Sequence, residues 1–294
     1  MRGPIAWARD PWRKPRVLQI STWTYIAWSL APVAIAIIIS FNSGRSNASL
    51  QGFSLQWWTG TPGGDLQGSL FRSSELHAAI FQTLRLSVIS MLIAVPLGVA
   101  FAIGLDRWRG RPAATSNFVM LVSFVIPEII IGVTMFLAFR YLLKFVHLGT
   151  TAQLIGLVAY QISYPVIVVR ARLLTIDPSF EEAGLDLGAP PRESLRRVLL
   201  PMIYPAIFAS FALVFADVVD DFVTVRYLSG ASSTETLSVK IYGAVRSTPT
   251  PAYNAAATFM LGMTVVGLLL VYALYKIFGR GQGGSATSFV AGQI

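Results

Sequence analysis

Five stretches of this chain carry no charged residue over lengths that a water-soluble fold rarely hides: 17–44, 86–105, 148–169, 198–216 and 247–275. A bilayer core of about 30 Å is crossed by roughly 20 apolar residues rising about 1.5 Å each. Backbone polar groups in lipid must be satisfied inside the crossing segment, so each stretch reads as a helix. A sixth crossing, 117–143, contains Glu128 and has Arg140 near one end. Only 13% of the residues are charged and 54% are hydrophobic, against about 25% charged in a soluble domain. The fold class is therefore an all-α integral membrane protein with six transmembrane helices. The first uncharged stretch has 28 residues, longer than the roughly 7–15 of a cleavable signal, so it reads as an uncleaved span.

Basic residues orient these spans. With the N-terminus in the cytoplasm, the inner segments hold Arg2, Arg9, Arg13, Lys14, Arg16, Arg107, Arg109, Arg111, Arg170, Arg172, Arg192, Arg196, Arg197, Lys276 and Arg280. The outer segments hold fewer: Arg45, Arg72, Lys144, Arg226, Lys240 and Arg246, with Arg85 and Arg140 near outer helix ends. That asymmetry puts both termini in the cytoplasm. It also accounts for the net charge of +9 through topology and lipid headgroups, so no nucleic-acid partner is expected. Residues 1–19 form a cytoplasmic N-terminal segment, 20–278 the membrane domain, and 279–294 a flexible tail.

Several chemistries are excluded by residue type. There is no cysteine, hence no disulfide or thiolate centre, and only His77 and His147 offer imidazole, so no metal site is expected. None of the four lysines is followed by Ser or Thr, so the chain lacks the glycine-rich loop that cradles nucleotide phosphates. Outside the spans, GFSLQWW places Trp57 and Trp58 where interfacial aromatics sit. LSVKIYGAVR, with apolar Leu237, Ile241, Ala244 and Val245, has the spacing of a short amphipathic helix.

One polar segment stands apart, EEAGLDLGAPPRESLRRVLLP, residues 181–201. Asp177 suits an N-cap, Pro178 the first helical position, and Glu181 and Glu182 the positive end of a helix dipole. Gly188 can take the left-handed conformation that ends the helix, and Pro190 and Pro191 redirect the chain. A second short helix is expected from Arg192 to Leu200, with Pro201 and Pro205 bending it into the fifth span. Such an elbow is suited to carrying force from a cytoplasmic partner into the membrane.

Here the spacing Glu182-Ala183-Gly184, three residues, Gly188, nine residues, Val198-x-Leu200-Pro201 resembles the EAA loop of ATP-binding-cassette (ABC) importer permeases. The resemblance implies a type I importer permease fold with 177–201 as its cytoplasmic coupling hairpin. It assigns Glu182, Ala183, Gly184, Gly188, Leu200 and Pro201 to the coupling surface. Gly184 and Val198 stand where the family has Ala and Ile. The implied partners are ATP-binding subunits that hold ATP and magnesium, a second permease subunit, and an external substrate-binding protein, at a bacterial inner membrane. The chain itself would hold no cofactor and no catalytic residue.

The substrate class rests on charge inside the membrane, which is costly and usually faces a pathway or a partner charge. Glu128 falls about 11 residues into the third span, roughly 17 Å from its inner end. Asp217, Asp220 and Asp221, spaced i, i+3 and i+4, share a face toward the outer end of the fifth span. An acidic mouth leading to a deeper carboxylate would draw in cations; Arg85, Arg140 or Arg226 could instead neutralise these acids. SFNSGR, GFSLQWW, IPEIIIG and LSVKIYGAVR are similar to spermidine/putrescine-type permeases, the C permease in particular, which implies a polyamine. Another small solute is the alternative. A stand-alone secondary cation transporter fits the acids but not the hairpin. An aspartyl hydrolase fits neither, because acids on one helix face do not flank a substrate.

Overall fold

The computed structural model describes residues 16–47, 49–60, 69–107, 115, 118, 122, 125–247 and 250–279. The expectations for the two terminal segments, for Arg2, Arg9, Arg13, Lys14, Arg109, Arg111 and Arg280, and for most of the first half of the third crossing fall outside them. Among the described residues, regular structure is helical: α1 (Arg16–Ile39), α2 (Gln56–Thr59), α3 (Ser74–Arg107), α4 (Glu128–Leu137) continued by a π-helical turn (Ala138–Leu142), α5 (Thr150–Gln161) and α6 (Ser163–Leu173). Then come α7 (Ser179–Asp186), α8 (Pro191–Ser194), a second π-helical turn (Leu195–Leu199), α9 (Leu200–Asp220), α10 (Val223–Leu228), a 3-10 turn (Ser232–Thr234), α11 (Leu237–Arg246) and α12 (Pro251–Gly279). Five segments are long and apolar enough to cross a membrane: Val17–Ile39, Ser74–Arg107, Thr150–Leu173, Pro191–Asp220 and Pro251–Ile277.

The chain divides into two compact units, residues 1–73 with 249–258, and 74–248 with 259–294. In the first, the loop after α1 is organised by a buried amide. Asn42 Nδ2 donates to Ser46 O at 2.8 Å and Ser49 O at 2.9 Å, while its Oδ1 accepts from Gln51 N at 2.8 Å. Trp57 and Trp58 tie this loop together: their indole N–H groups donate to Gly44 O and Ser40 O, each at 3.2 Å, and Trp58 stacks on Phe41 at 5.3 Å. A single Gly/Ser/Asn-rich loop has little other apolar mass to collapse on, which is why both indoles are drawn inward.

The second unit is a bundle of α3, α5–α6 and α9. Leu86, Val95, Leu157, Val166, Val169, Ile203 and Val214 form its core. Close packing replaces a hydrophobic drive between helices in lipid, and Gly98 shows how: a Cβ there would lie 2.3 Å from Pro165 Cγ. Pro165 in turn sits where the fourth crossing splits, because its missing N–H and ring interrupt the ladder; α5 ends at Gln161 and α6 starts at Ser163.

Two expectations about helices are corrected. The third crossing is not one continuous helix through Glu128: the chain breaks at Pro127, whose φ −54° and ψ 130° are extended, and Glu128 opens α4. The second arm of the hairpin is not a separate short helix bent at Pro201. It runs through the π-turn into α9, with Pro201 in the first turn of α9, where a missing N–H costs little. The amphipathic expectation for α11 holds in part: Leu237 and Ala244 are buried and Ile241 half-buried, but Val245, expected on the same face, is exposed, and Val239 is buried in its stead.

Candidate functional site

The break at Pro127 decides where the first carboxyl goes. Glu128 stands in the first turn of α4, where a helix favours a negative charge, and α4 packs on α10 through Gly132, whose absent side chain admits Tyr227 and Val223. Asp221 lies just past α9 with an extended ψ of 119° and is 6% exposed. It caps α10: its Oδ1 accepts the Val225 N–H at 3.1 Å. The Thr224 hydroxyl and the Glu128 carboxyl lie within electrostatic reach of its carboxyl, whose Oδ2 is buried and makes no hydrogen bond among the described residues. Facing carboxylates repel unless a cation or a proton lies between them.

Asp217 looks another way. Its Oδ2 accepts from the buried Gln161 Nε2 at 2.6 Å, and Gln161 is the twelfth residue of the 24-residue crossing Thr150–Leu173. The acids of α9 are thus level with the middle of the bundle rather than at its far mouth, because α9 starts late in a 30-residue crossing that includes the hairpin's second arm. Asp220 is exposed. The three aspartates therefore do not share one face: helical geometry ends at Asp220 and turns Asp221 inward. Among the described residues none of the four acids is in an ion pair, and Arg226, a candidate neutraliser, pairs with Glu235 at 3.0 Å instead.

The same level carries residues that charge counting overlooked. Tyr160 and Tyr164 meet edge to face at 5.9 Å with hydroxyls 3.4 Å apart, within electrostatic reach of Glu128 and Asp217. Aromatic faces beside carboxylates suit an alkylammonium chain, since the rings attract cations and accept methylenes. Their signal in the sequence is YQISY, a polar cluster midway along an uncharged stretch.

A buried amide pair holds the far end of this site. Gln153 is fully buried; its Oε1 accepts from Gln82 at 2.8 Å, and its Nε2 donates to Ser229 Oγ and Thr234 O at 2.9 Å and to Val225 O at 3.3 Å. Val225 is the residue whose N–H holds Asp221. Beside it, Lys240 reaches Glu75 at 2.5 Å and Glu235 at 3.1 Å. Burial alone would lower the Lys240 pKa, but the hydrogen bonds its ammonium donates to Glu75 and Glu235 outweigh it and hold it above its ordinary value. A raised cationic pKa contributes stability that is complete below about 10.5 and is lost as pH climbs through the folded value. Lys240→Met is therefore expected to remove the alkaline step from a plot of thermal midpoint against pH, with the wild type converging on the variant above that range.

At the opposite end of the bundle lies the hairpin. Asp177 Oδ1 accepts the Ser179 N–H at 2.9 Å, which keeps its carboxyl below the usual range. Gly188 has φ +84°, the left-handed region. Glu182, Ala183 and Leu187 are exposed, Leu187 at 90%. Gly184 faces inward, where a Cβ would lie 3.3 Å from Ser194 Oγ, so Gly in place of Ala tightens the seam between the two arms. Leu200 and Pro201 are half-buried in the stem. Glu181 is spent within the chain, in an ion pair with Arg107 at the end of α3, and Arg197 pairs with Glu193 at 2.7 Å.

A break beside a carboxyl, a bundle of apolar crossings and a projecting hairpin coincide with a described family: residues 94–283 match the model of the binding-protein-dependent transport system inner membrane component. The chain belongs to this family. It is accordingly a multi-pass, non-catalytic membrane subunit of an ABC importer, a class in which a partner ATPase hydrolyses ATP. Among its relatives, the putrescine transport system permease protein PotI of Escherichia coli K12 is 30% identical over 275 residues, covering 91% of this chain and 92% of that one. The spermidine/putrescine transport system permease protein PotC of Shigella flexneri is 29% identical over 258 residues, covering 88% and 93%. Among solved structures, a bacterial ABC transporter involved in the import of alginate superposes with a TM-score of 0.69 at 17% identity, over 91% of this chain and 96% of its own. The MetNI methionine transporter does so at 0.60 and 18%, over 70% and 97%. Both share the fold.

Proposed function

We propose that this chain forms half of the translocation pathway of an ATP-driven polyamine importer and that Glu128, Asp217 and Asp221 hold the ammonium groups as they pass. The supporting observation is the meeting, halfway along the bundle, of these carboxyls with Tyr160 and Tyr164, none of the acids being neutralised by a described basic residue. A polyamine offers what this lining lacks, separated positive charges joined by methylenes. Asp220, exposed beside them, guides rather than binds. The relatives named for putrescine and spermidine support the same substrate class.

In this reading the hairpin faces the cytoplasm, and both termini lie there. Glu182, Ala183, Leu187 and Gly188 meet the ATP-binding subunit, while Gly184, Leu200 and Pro201 shape the arm that carries its motion into α9. ATP and magnesium stay on that partner. A second permease subunit closes the pathway, and an external binding protein delivers the substrate.

Glu128→Gln tests the pathway. In a reconstituted complex it is expected to raise the half-saturating putrescine concentration about tenfold, the equivalent of losing one charge-assisted hydrogen bond of ~1.5 kcal/mol, with the ATPase still bound. Unchanged uptake kinetics would remove Glu128 from the pathway.

A further inference from the structure

The π-helical turn that ends α4 builds a second polar feature at the far end of the bundle. Leu143 N donates to Ala138 O at 2.7 Å, Val146 N to Leu143 O at 2.9 Å, and Gly149 N to Leu228 O at 2.8 Å. Phe139 and Val146 are buried beneath this turn, so Arg140, Lys144 and His147 stand out from it, all three exposed. They line a cavity of about 630 Å³ whose other wall is the backbone at Leu148 and Gly230. Gly230 sits so close to that wall that a Cβ would lie 2.4 Å from Leu148 O.

Three features of the cavity point to an anion held at a membrane surface. None of the three basic side chains is in an ion pair with a described residue, and Glu235, which follows Gly230 of the facing wall in the chain, is engaged by Arg226 and Lys240. Tyr141, Leu142 and Phe145, interleaved with the cations, are 66%, 80% and 77% exposed, the mixture of aromatic, aliphatic and cationic side chains found where protein meets the headgroup layer. And the crossing Thr150–Leu173, with 24 residues, sets the cavity about 36 Å from the hairpin, on the side where the bias of basic residues predicts few cations.

We propose that Arg140, Lys144 and His147 bind the phosphate of an anionic phospholipid of the outer leaflet, whose acyl chains lie along Leu142 and Phe145. The leaflet rests on the reading that the hairpin faces the cytoplasm. A bound headgroup cancels positive charge that would otherwise repel a polycation approaching this end of the bundle, and it fixes the turn that supports α4 and hence Glu128.

The test uses the full chain in its purified complex, stripped of lipid in detergent and titrated with dioctanoyl phosphatidylglycerol, with dioctanoyl phosphatidylcholine, or with inorganic phosphate. Thermal midpoint reports binding, so the result does not depend on transport or on the identity of the solute. Phosphatidylglycerol is expected to raise the midpoint and phosphatidylcholine to leave it unchanged. The triple variant R140Q/K144Q/H147Q, altered only at exposed positions, is expected to bind phosphatidylglycerol at least fivefold more weakly from an unaltered starting midpoint, and the charge-keeping R140K to stay within twofold of wild type. A triple variant that responds like wild type overturns the site. Equal protection by inorganic phosphate overturns the lipid as its occupant. A triple variant that keeps the lipid response but binds the external substrate-binding protein more weakly reassigns the cavity to a protein contact and overturns the proposal. If the starting midpoint of the triple variant falls, R140Q alone is compared with R140K, and equal affinities of those two for phosphatidylglycerol count against the site.

Discussion

Gly188→Val is expected to abolish ATP-coupled uptake while leaving the amount of protein in the membrane unchanged. The backbone at Gly188 has φ +84°, and a Cβ placed there meets nothing within 4 Å. The penalty is therefore entirely conformational, of order 1–2 kcal/mol for an ordinary L-residue and more for a β-branched one. The hairpin has little with which to resist. Besides the turn's own backbone bonds, Gly188 N to Leu185 O at 2.9 Å and Ala189 N to Gly184 O at 3.1 Å, its described ties include the Arg107–Glu181 ion pair, a weak Ser194 to Glu181 contact at 3.4 Å and the Gly184 seam, and exposed ion pairs contribute only ~0–1 kcal/mol. The turn should reopen and withdraw Leu187, Glu182 and Ala183 from their common surface. Co-purification with the ATP-binding subunit should fall at least tenfold. Gly188→Asn separates strain from size, because asparagine tolerates the left-handed region; it should retain most of the association. Equal loss in both variants would mean that the partner reads the absence of a side chain, and retention in both would free the hairpin from coupling.

That turn was legible from the sequence because it depends on local chemistry: an N-cap acid, a glycine and two prolines within a short polar segment. The crossings were legible for a similar reason, since absence of charge over twenty residues has one physical meaning. What could not be read was which residues meet. Glu128 and Asp221 lie far apart in the chain, and an unbroken third crossing would set them at different depths; Pro127, the residue that breaks it, is outweighed in the sequence by the apolar run around it. Gln161, Tyr160 and Tyr164 carry no charge, so a search for intramembrane charges passes over them. Trp57 and Trp58 have the composition of interfacial anchors, and only their hydrogen bonds to Gly44 and Ser40 reveal a loop core.

Gln153→Leu is the second substitution expected to have a large effect, and it acts without touching any of the four pathway acids. One side chain joins α3, α5, α10 and the 3-10 turn, with each of its polar atoms occupied. Leucine fills much of the volume but supplies no donor or acceptor. Val225 O keeps the Ser229 hydroxyl at 2.8 Å, and Gln82 keeps Thr150 Oγ1 at 2.9 Å, so two of the partners are partly consoled. Thr234 O has no such substitute in the immediate turn, and a buried polar group left without its partner costs about 1–3 kcal/mol. With the weakened contacts added, the loss should be roughly 2–4 kcal/mol, read as a lower thermal midpoint of the purified complex. The further consequence follows from connectivity: Val225 O is released on one side of the peptide unit chain whose N–H holds Asp221 on the other, so α10 loosens and Asp221 loses its fixed orientation toward Glu128. Amide exchange across Val223–Leu228 should accelerate, and putrescine affinity should fall together with it. Gln153→Glu preserves the acceptor for Gln82 yet sets a carboxylate against Val225 O and Thr234 O, and should be no milder. A Gln153→Leu complex with unaltered exchange in α10 but reduced affinity would place Gln153 in contact with substrate rather than behind Asp221, a different role that the exchange measurement alone distinguishes.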